Sequence, residues 1–201
     1  MKKFVVVLAL VIALSMSCPA LAVGLSASSD RPTVLSFTEL FSRRLIQLET
    51  NTGYDLSSSL LGSERPVTGF LNHDGMIVAS SLAGEVGFDE KSLVVGEWSN
   101  TLMYLMDEPE KTLQNVFVCV VAISALEYGR IDEYRLKQEK TTPFMEAYND
   151  VIAPIWDDIT TTALKLKAQN KSMLIYEGKY SYYISCSETS DGQDVVWISA
   201  E

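Results

Sequence analysis

The stretch Val116-Phe117-Val118-Cys119-Val120-Val121-Ala122-Ile123 decides the fold class of this chain. Eight apolar residues in a row, four of them valine, suit either a buried strand or a buried helix, and periodicity alone does not separate the two. The flanks do. Asp107 is a capping residue, Pro109 stands where a first helical turn needs no backbone donor, Glu110 completes the capping pattern, and Gly129 supplies a C-terminal stop. The run is therefore expected to be the middle of a helix. A helix that is apolar all round must be covered on most sides, which places it at the centre of the core.

Working towards the N-terminus, residues 55–100 lose the helical period and gain glycine and serine. Three β-prone runs, 67–71, 76–81 and 93–98, are predicted as antiparallel strands, with Asn72-His73-Asp74-Gly75 as the tight turn between the first two. Ahead of them Ser36 and Glu39 form a capping box, and Phe37, Leu40, Phe41, Leu45 and Leu48 recur at helical spacing until Asn51-Thr52-Gly53 ends the helix.

On the other side, residues 133–142 are charged and read as a linker. A third helix is expected over 143–169, with Phe144, Tyr148, Ile152, Ile155, Ile159, Ala163 and Leu166 on one stripe and Pro154 kinking or dividing it. Three more strands close the chain at 173–176, 180–187 and 195–199, the last two joined through Ser190-Asp191-Gly192-Gln193. In the middle one, Tyr180, Tyr182, Ile184 and Cys186 fall on one face, with Ser181, Tyr183 and Ser185 on the other.

Helices grouped in sequence and strands grouped in sequence give an α+β fold, antiparallel sheet units packed on helices. Both halves run helix, then three strands, a weak pseudo-repeat whose residues do not align. The organisation expected is a signal peptide over 1–22, a flexible lead-in over 23–35, and one domain over 36–201 whose two lobes would divide near 130–142.

The signal peptide rests on residue order. Met1, Lys2 and Lys3 put positive charge ahead of an apolar run over 4–14, followed by a polar break and the small-residue site Ala20-Leu21-Ala22. That run falls well short of the roughly 20 residues that span a bilayer. Cleavage after Ala22 and release are expected, with no transmembrane segment in the mature chain. Cys18 offers a lipid anchor as the alternative, but the positions that a lipobox fills with aliphatic and small residues hold Ser15 and Ser17. The short, lysine-led signal has a bacterial form, so Asn170-Lys171-Ser172 is read as a chance match to a glycosylation site.

The chain carries 16 basic and 26 acidic side chains, and cleavage removes two lysines and no acid. Such a surface opposes nucleic acid and anionic lipid, and the only adjacent basic pair in the mature chain is Arg43-Arg44. After cleavage Cys119 and Cys186 remain, enough for one disulfide, with two buried free thiols the favoured alternative.

No phosphate loop, nucleophile elbow, zinc signature or calcium loop occurs. His73, the one histidine, stands beside Asp74 as a general base would, although turns select both residue types for backbone reasons. Trp98 next to Glu97, and Trp156 next to Asp157 and Asp158, set aromatic faces beside carboxylates as in a sugar- or peptide-binding groove, or as in a glycosidase. Tyr176, Tyr180, Tyr182 and Tyr183 fit a sheet face that docks a partner. No residue is assigned a catalytic, cofactor or metal role. The function expected is an exported, non-enzymatic module that binds a protein or small-molecule ligand at or outside the bacterial cell surface; the alternative is a small secreted hydrolase using the carboxylates near Trp98 or Trp156.

Overall fold

The apolar run is helical. In the computed structural model it lies in α2 (Pro109–Glu127), and all but one of the residues from Val116 to Glu127 are buried. The structure describes residues 31–56, 76–106, 109–129 and 142–201, together with the backbone of 69–71. The signal peptide, the turn holding His73, the cap at Asp107 and most of the linker lie outside the described residues.

Among the described residues α2 packs chiefly against α1 (Val34–Thr52), β4 (Val95–Tyr104) and α3 (Pro143–Ala147). Phe117, the partly exposed member of the run, meets Tyr54 with ring centroids 5.5 Å apart. Among the described residues no helix is long and apolar enough to cross a membrane.

The remaining strands are β1 (Gly69–Leu71), β2 (Met76–Ser81), β3 (Gly84–Asp89), β5 (Met173–Glu177), β6 (Ser181–Glu188) and β7 (Asp194–Ala200). All pairings are antiparallel, in the order β1-β2-β3-β4-β7-β6-β5, so the fold is α+β. Two sequence expectations are corrected here. The strand groups are not separate units, because β4 pairs with β7 and joins them into one seven-stranded sheet. The first group also has four strands, not three, which weakens the pseudo-repeat.

The strand that sequence reading missed is β3, Gly-Glu-Val-Gly-Phe-Asp. Its glycines and acids carry low strand propensity, and the glycines are there for space. A Cβ on Gly84 would stand 2.3 Å from the Ser99 carbonyl oxygen, and its φ of 105° lies in the glycine region. Next to it, β4 begins two residues later than expected and runs on to Tyr104, past a register shift between Thr101 and Met103.

The first helix starts earlier than expected. Thr33, not Ser36, is the N-cap; its hydroxyl accepts the Ser36 N–H, and Ser36 sits inside the first turn. Gly53, at φ 75°, ends the helix as read. The stretch 31–35 belongs to the fold rather than to a flexible lead-in, since Val95 N–H donates to the Pro32 carbonyl and Thr33 bridges Val94. Arg31 lies 4.3 Å from the Tyr180 ring centroid and donates to the carbonyls of Lys179 and Gly96.

The third helical stretch is divided. After α3 comes a π-turn (Tyr148–Ile152), then α4 (Ala153–Trp156) and α5 (Ile159–Gln169). Pro154 has no N–H and crowds the carbonyl four residues back, and the wide turn just before it takes up the conflict. Its extra residue rotates the apolar stripe: Ala147, Val151 and Ile152 are buried, while Tyr148 is 37% exposed. At the end of α5, Asn170 adopts φ 50° and its N–H caps Leu166 and Lys167, which gives this residue a backbone role.

Candidate functional site: the outer sheet face

Strand residues directly opposite one another share a face, so the register assigns every side chain. The core face holds Val86, Trp98, Tyr182, Ile198 and Ala200, all buried. The other face holds Glu85, Glu97, Ser99, Thr101 and Tyr104 on the first strand group, and Trp197, Ser199, Tyr183, Ser185 and Leu174 on the second.

Three aromatic residues cross that second face on a diagonal. Tyr104 of β4 stands opposite Val195 of β7; Trp197 lies two residues further along β7; Tyr183 of β6 stands opposite Ser199, two residues further again. With strands nearly 5 Å apart and about 3.4 Å per residue, successive members are about 8 Å apart. All three are half-buried. The Trp197 indole N–H donates to Ser187 Oγ at 2.8 Å in an exposed hydrogen bond, which fixes the ring while leaving it accessible to solvent. Thr101 and Val195, beside it on the same face, are buried.

Hydroxyls fill the positions between. A row Ser99–Ser199–Tyr183 crosses β4, β7 and β6, and Ser185 stands opposite Trp197. The register places the carboxylates of Glu85, Asp89, Glu97 and Glu177 on this face, and no lysine or arginine among the described residues. Where the diagonal ends at Tyr104, a cleft of about 350 Å³ opens, lined also by Lys111, Thr189, Asp191 and Gln193. Its lip is a tight hairpin: Thr189 N–H donates to the Gln193 carbonyl, Gln193 N–H to the Thr189 hydroxyl, and that hydroxyl to Asp191. Lys167 pairs with Glu188 and Asp194 at the hairpin's base.

The aromatic residues singled out in the sequence are placed differently. Trp98 is buried at 1% exposure with its indole N–H on the Ala83 carbonyl, and Trp156 is partly buried against the core. Glu97 is exposed on the outer sheet face, whereas Asp157 and Asp158 are exposed at the break between α4 and α5 in the helical layer. The three carboxylates do not meet.

The tyrosines are not one patch either. Tyr180 and Tyr182 are buried, and Tyr176 packs against the core with its ring 6.0 Å from that of Tyr182; Tyr183 alone faces outward. The inner three surround the end of α2, where the buried Glu127 carboxylate accepts the N–H groups of Lys179 and Tyr180 and ties the β5–β6 turn to the helix. Tyr180 donates its hydroxyl to the Val95 carbonyl. The Tyr182 hydroxyl lies beside Glu127 without a well-formed hydrogen bond, and burial, then that carboxylate, holds its phenol well above the usual range. This cluster is architecture: its acceptors are already taken by backbone.

Cys119 and Cys186 are free and buried. The Cys119 thiol donates to the Thr101 carbonyl beside the β4 register shift, and burial raises its pKa. The Arg43-Arg44 pair is split by the helix it stands on. Arg43 is exposed and meets Glu39 at 2.8 Å, while Arg44 is 8% exposed and donates to the carbonyls of Ser124 and Gly129, closing the C-terminal end of α2. Loss of solvent brings its pKa down to about 10, which leaves it charged at neutral pH.

Sequence reading passed over Trp197 and Tyr104. The signal for Trp197 was present in Val-Val-Trp-Ile-Ser-Ala, where Trp197 and Ser199 alternate against Val196, Ile198 and Ala200. Tyr104 gave none, because the register shift in β4 sets its face. Compared with known protein families, with curated proteins and with solved structures, the chain matches none.

Proposed function

We propose that this protein is exported by its first 22 residues and acts at or outside the bacterial cell surface as a non-enzymatic binding module, with the outer sheet face as its contact surface. One observation carries the reading: Trp197, a large aromatic side chain, stands on the outer side of the sheet, held by Ser187 and flanked by Tyr104 and Tyr183. Tryptophan and tyrosine on an accessible, rigid surface are the residues that dominate recognition energetics. The order of charge, apolar run and small-residue site at the N-terminus supports export. The hydrolase reading draws no support from carboxylates that stand apart.

Two measurements test this. Mass spectrometry of the protein from its producer is expected to find an N-terminus at Val23; an acylated Cys18 would replace release by anchoring, and an unprocessed chain would remove export. The mature protein is expected to be retained by isolated cell envelopes, with Trp197→Ala abolishing retention and Leu164→Ala, on the exposed side of α5, leaving it intact. Equal retention of both variants would sink the assignment of the face.

A further inference from the structure

Resting on that reading of the sheet face, we infer that its ligand is an uncharged glycan chain. Three features of the face select for one. The first is the aromatic diagonal. Sugar rings present C–H groups on one side and stack them on the flat electron-rich faces of Tyr and Trp. Tyr104, Trp197 and Tyr183, about 8 Å apart along a straight line by strand spacing, offer an extended chain three successive platforms.

The second is the filling between the rings. Ser99, Ser185 and Ser199 carry hydroxyls that both donate and accept, which matches the alternating demands of sugar hydroxyls. An aliphatic peptide would leave these groups unpaired, and burying them without partners carries a penalty.

The third is charge. Aromatic ladders on sheets also stack nucleic-acid bases, but always with a basic groove for the phosphates. Here the register gives Glu85, Asp89, Glu97 and Glu177 and, among the described strand residues, no base on the face, so no basic groove is offered to a polyanion. Carboxylates at the margin of the diagonal accept hydrogen bonds from sugar hydroxyls and suit a neutral chain. The cleft at the Tyr104 end, where Lys111 and Asp191 both line the wall, extends the track and can seat a terminal sugar.

The test is affinity electrophoresis of the mature protein through native gels containing hydroxyethylcellulose, laminarin or glycol chitin, with dextran sulfate and polylysine as charged comparators. At least one neutral polysaccharide is expected to retard the protein, and retardation should persist at about 0.5 M salt, where exposed charge interactions are screened. Trp197→Ala and Tyr183→Ala are each expected to weaken binding by about tenfold or more, the loss typical of an aromatic hot spot. Their unfolding midpoints should stay close to the parent's. Leu164→Ala, on the exposed side of α5, should leave neutral-glycan binding within about twofold. Retardation by polylysine alone, by dextran sulfate alone or by no neutral polymer overturns the inference, as does glycan binding that neither aromatic substitution affects. If Trp197→Ala abolishes envelope retention while all neutral polymers fail, the face stands and the glycan falls; if neither assay depends on Trp197, both fall.

Discussion

Trp98 and Trp197 lie on adjacent strands of one sheet and face opposite ways. Trp98 points at the helices, is 1% exposed, and has its indole N–H on a backbone carbonyl, Ala83. Trp197 points away from them, is half-buried, and has its indole N–H on a side-chain hydroxyl at the surface. The same residue type therefore does two jobs. On the covered side it is volume that the core cannot lose; on the open side it is a shape presented outward. Sequence neighbours misled on this point, since the tryptophan with an acid beside it is the structural one.

The comparison is sharpest in stability. Trp98→Ala is expected to cost about 3–5 kcal/mol, from lost burial and the cavity left behind. That is a large part of the whole stability of a domain. Trp197→Ala should cost less than about 1 kcal/mol. Urea denaturation of the two variants reads this directly, and equal losses would make the open face part of the core.

The two arginines repeat the contrast in charged form. Arg44→Met leaves the carbonyls of Ser124 and Gly129 without their donor and should cost about 2–3 kcal/mol. Arg43→Met breaks one exposed pair with Glu39, and its effect should stay below about 0.5 kcal/mol. Because Arg44 titrates only near pH 10, its contribution should not change between pH 5 and 8.

What could be read from the sequence was local. Pro109 and the apolar run announced α2, Gly53 its neighbour's end, and the alternation in β6 the inward set Tyr182, Ile184 and Cys186. Three features were not readable. Strand β3 hides behind glycines whose purpose is close approach to β4. The joining of β4 to β7 pairs residues about a hundred positions apart, for which no local pattern exists. The wide turn before Pro154 adds one residue and moves the buried stripe from Tyr148 to Ala147 and Val151. The site depends on the second and on the β4 register shift, so Tyr104, Trp197 and Tyr183 become a line only once the sheet is assembled.

The covered side also carries the pH dependence. Burial raises the pKa of the Cys119 thiol and of the Tyr176 and Tyr182 phenols, so the folded chain holds protons that the unfolded chain releases from about pH 9 for cysteine and about 10 for tyrosine. Below that range both states are protonated and these groups add no slope. Above it the unfolded state binds fewer protons, and stability falls as pH rises. Denaturation midpoints from pH 7 to 11 should be flat and then decline, and Tyr182→Phe should soften the decline. At neutral pH that variant should cost little, because the hydroxyl has no well-formed hydrogen bond to lose.

The smallest effect expected on stability comes from Ser187→Ala, and it separates positioning from packing on the open face. Ser187 is exposed, and its hydroxyl accepts the Trp197 indole N–H. Removing an acceptor at the surface lets water take the N–H, so unfolding should move by less than about 0.5 kcal/mol. The ring, however, loses the contact that holds its orientation, and ordering it again on contact with a ligand costs part of the binding energy. Envelope retention should therefore weaken several-fold with folding unchanged, and Ser187→Thr, which keeps the acceptor, should restore it. A retention loss that Ser187→Thr shares would mean that the acceptor alone does not account for the effect and that the face is sensitive to the shape of this side chain, and no loss in either variant would mean that the indole needs no holding.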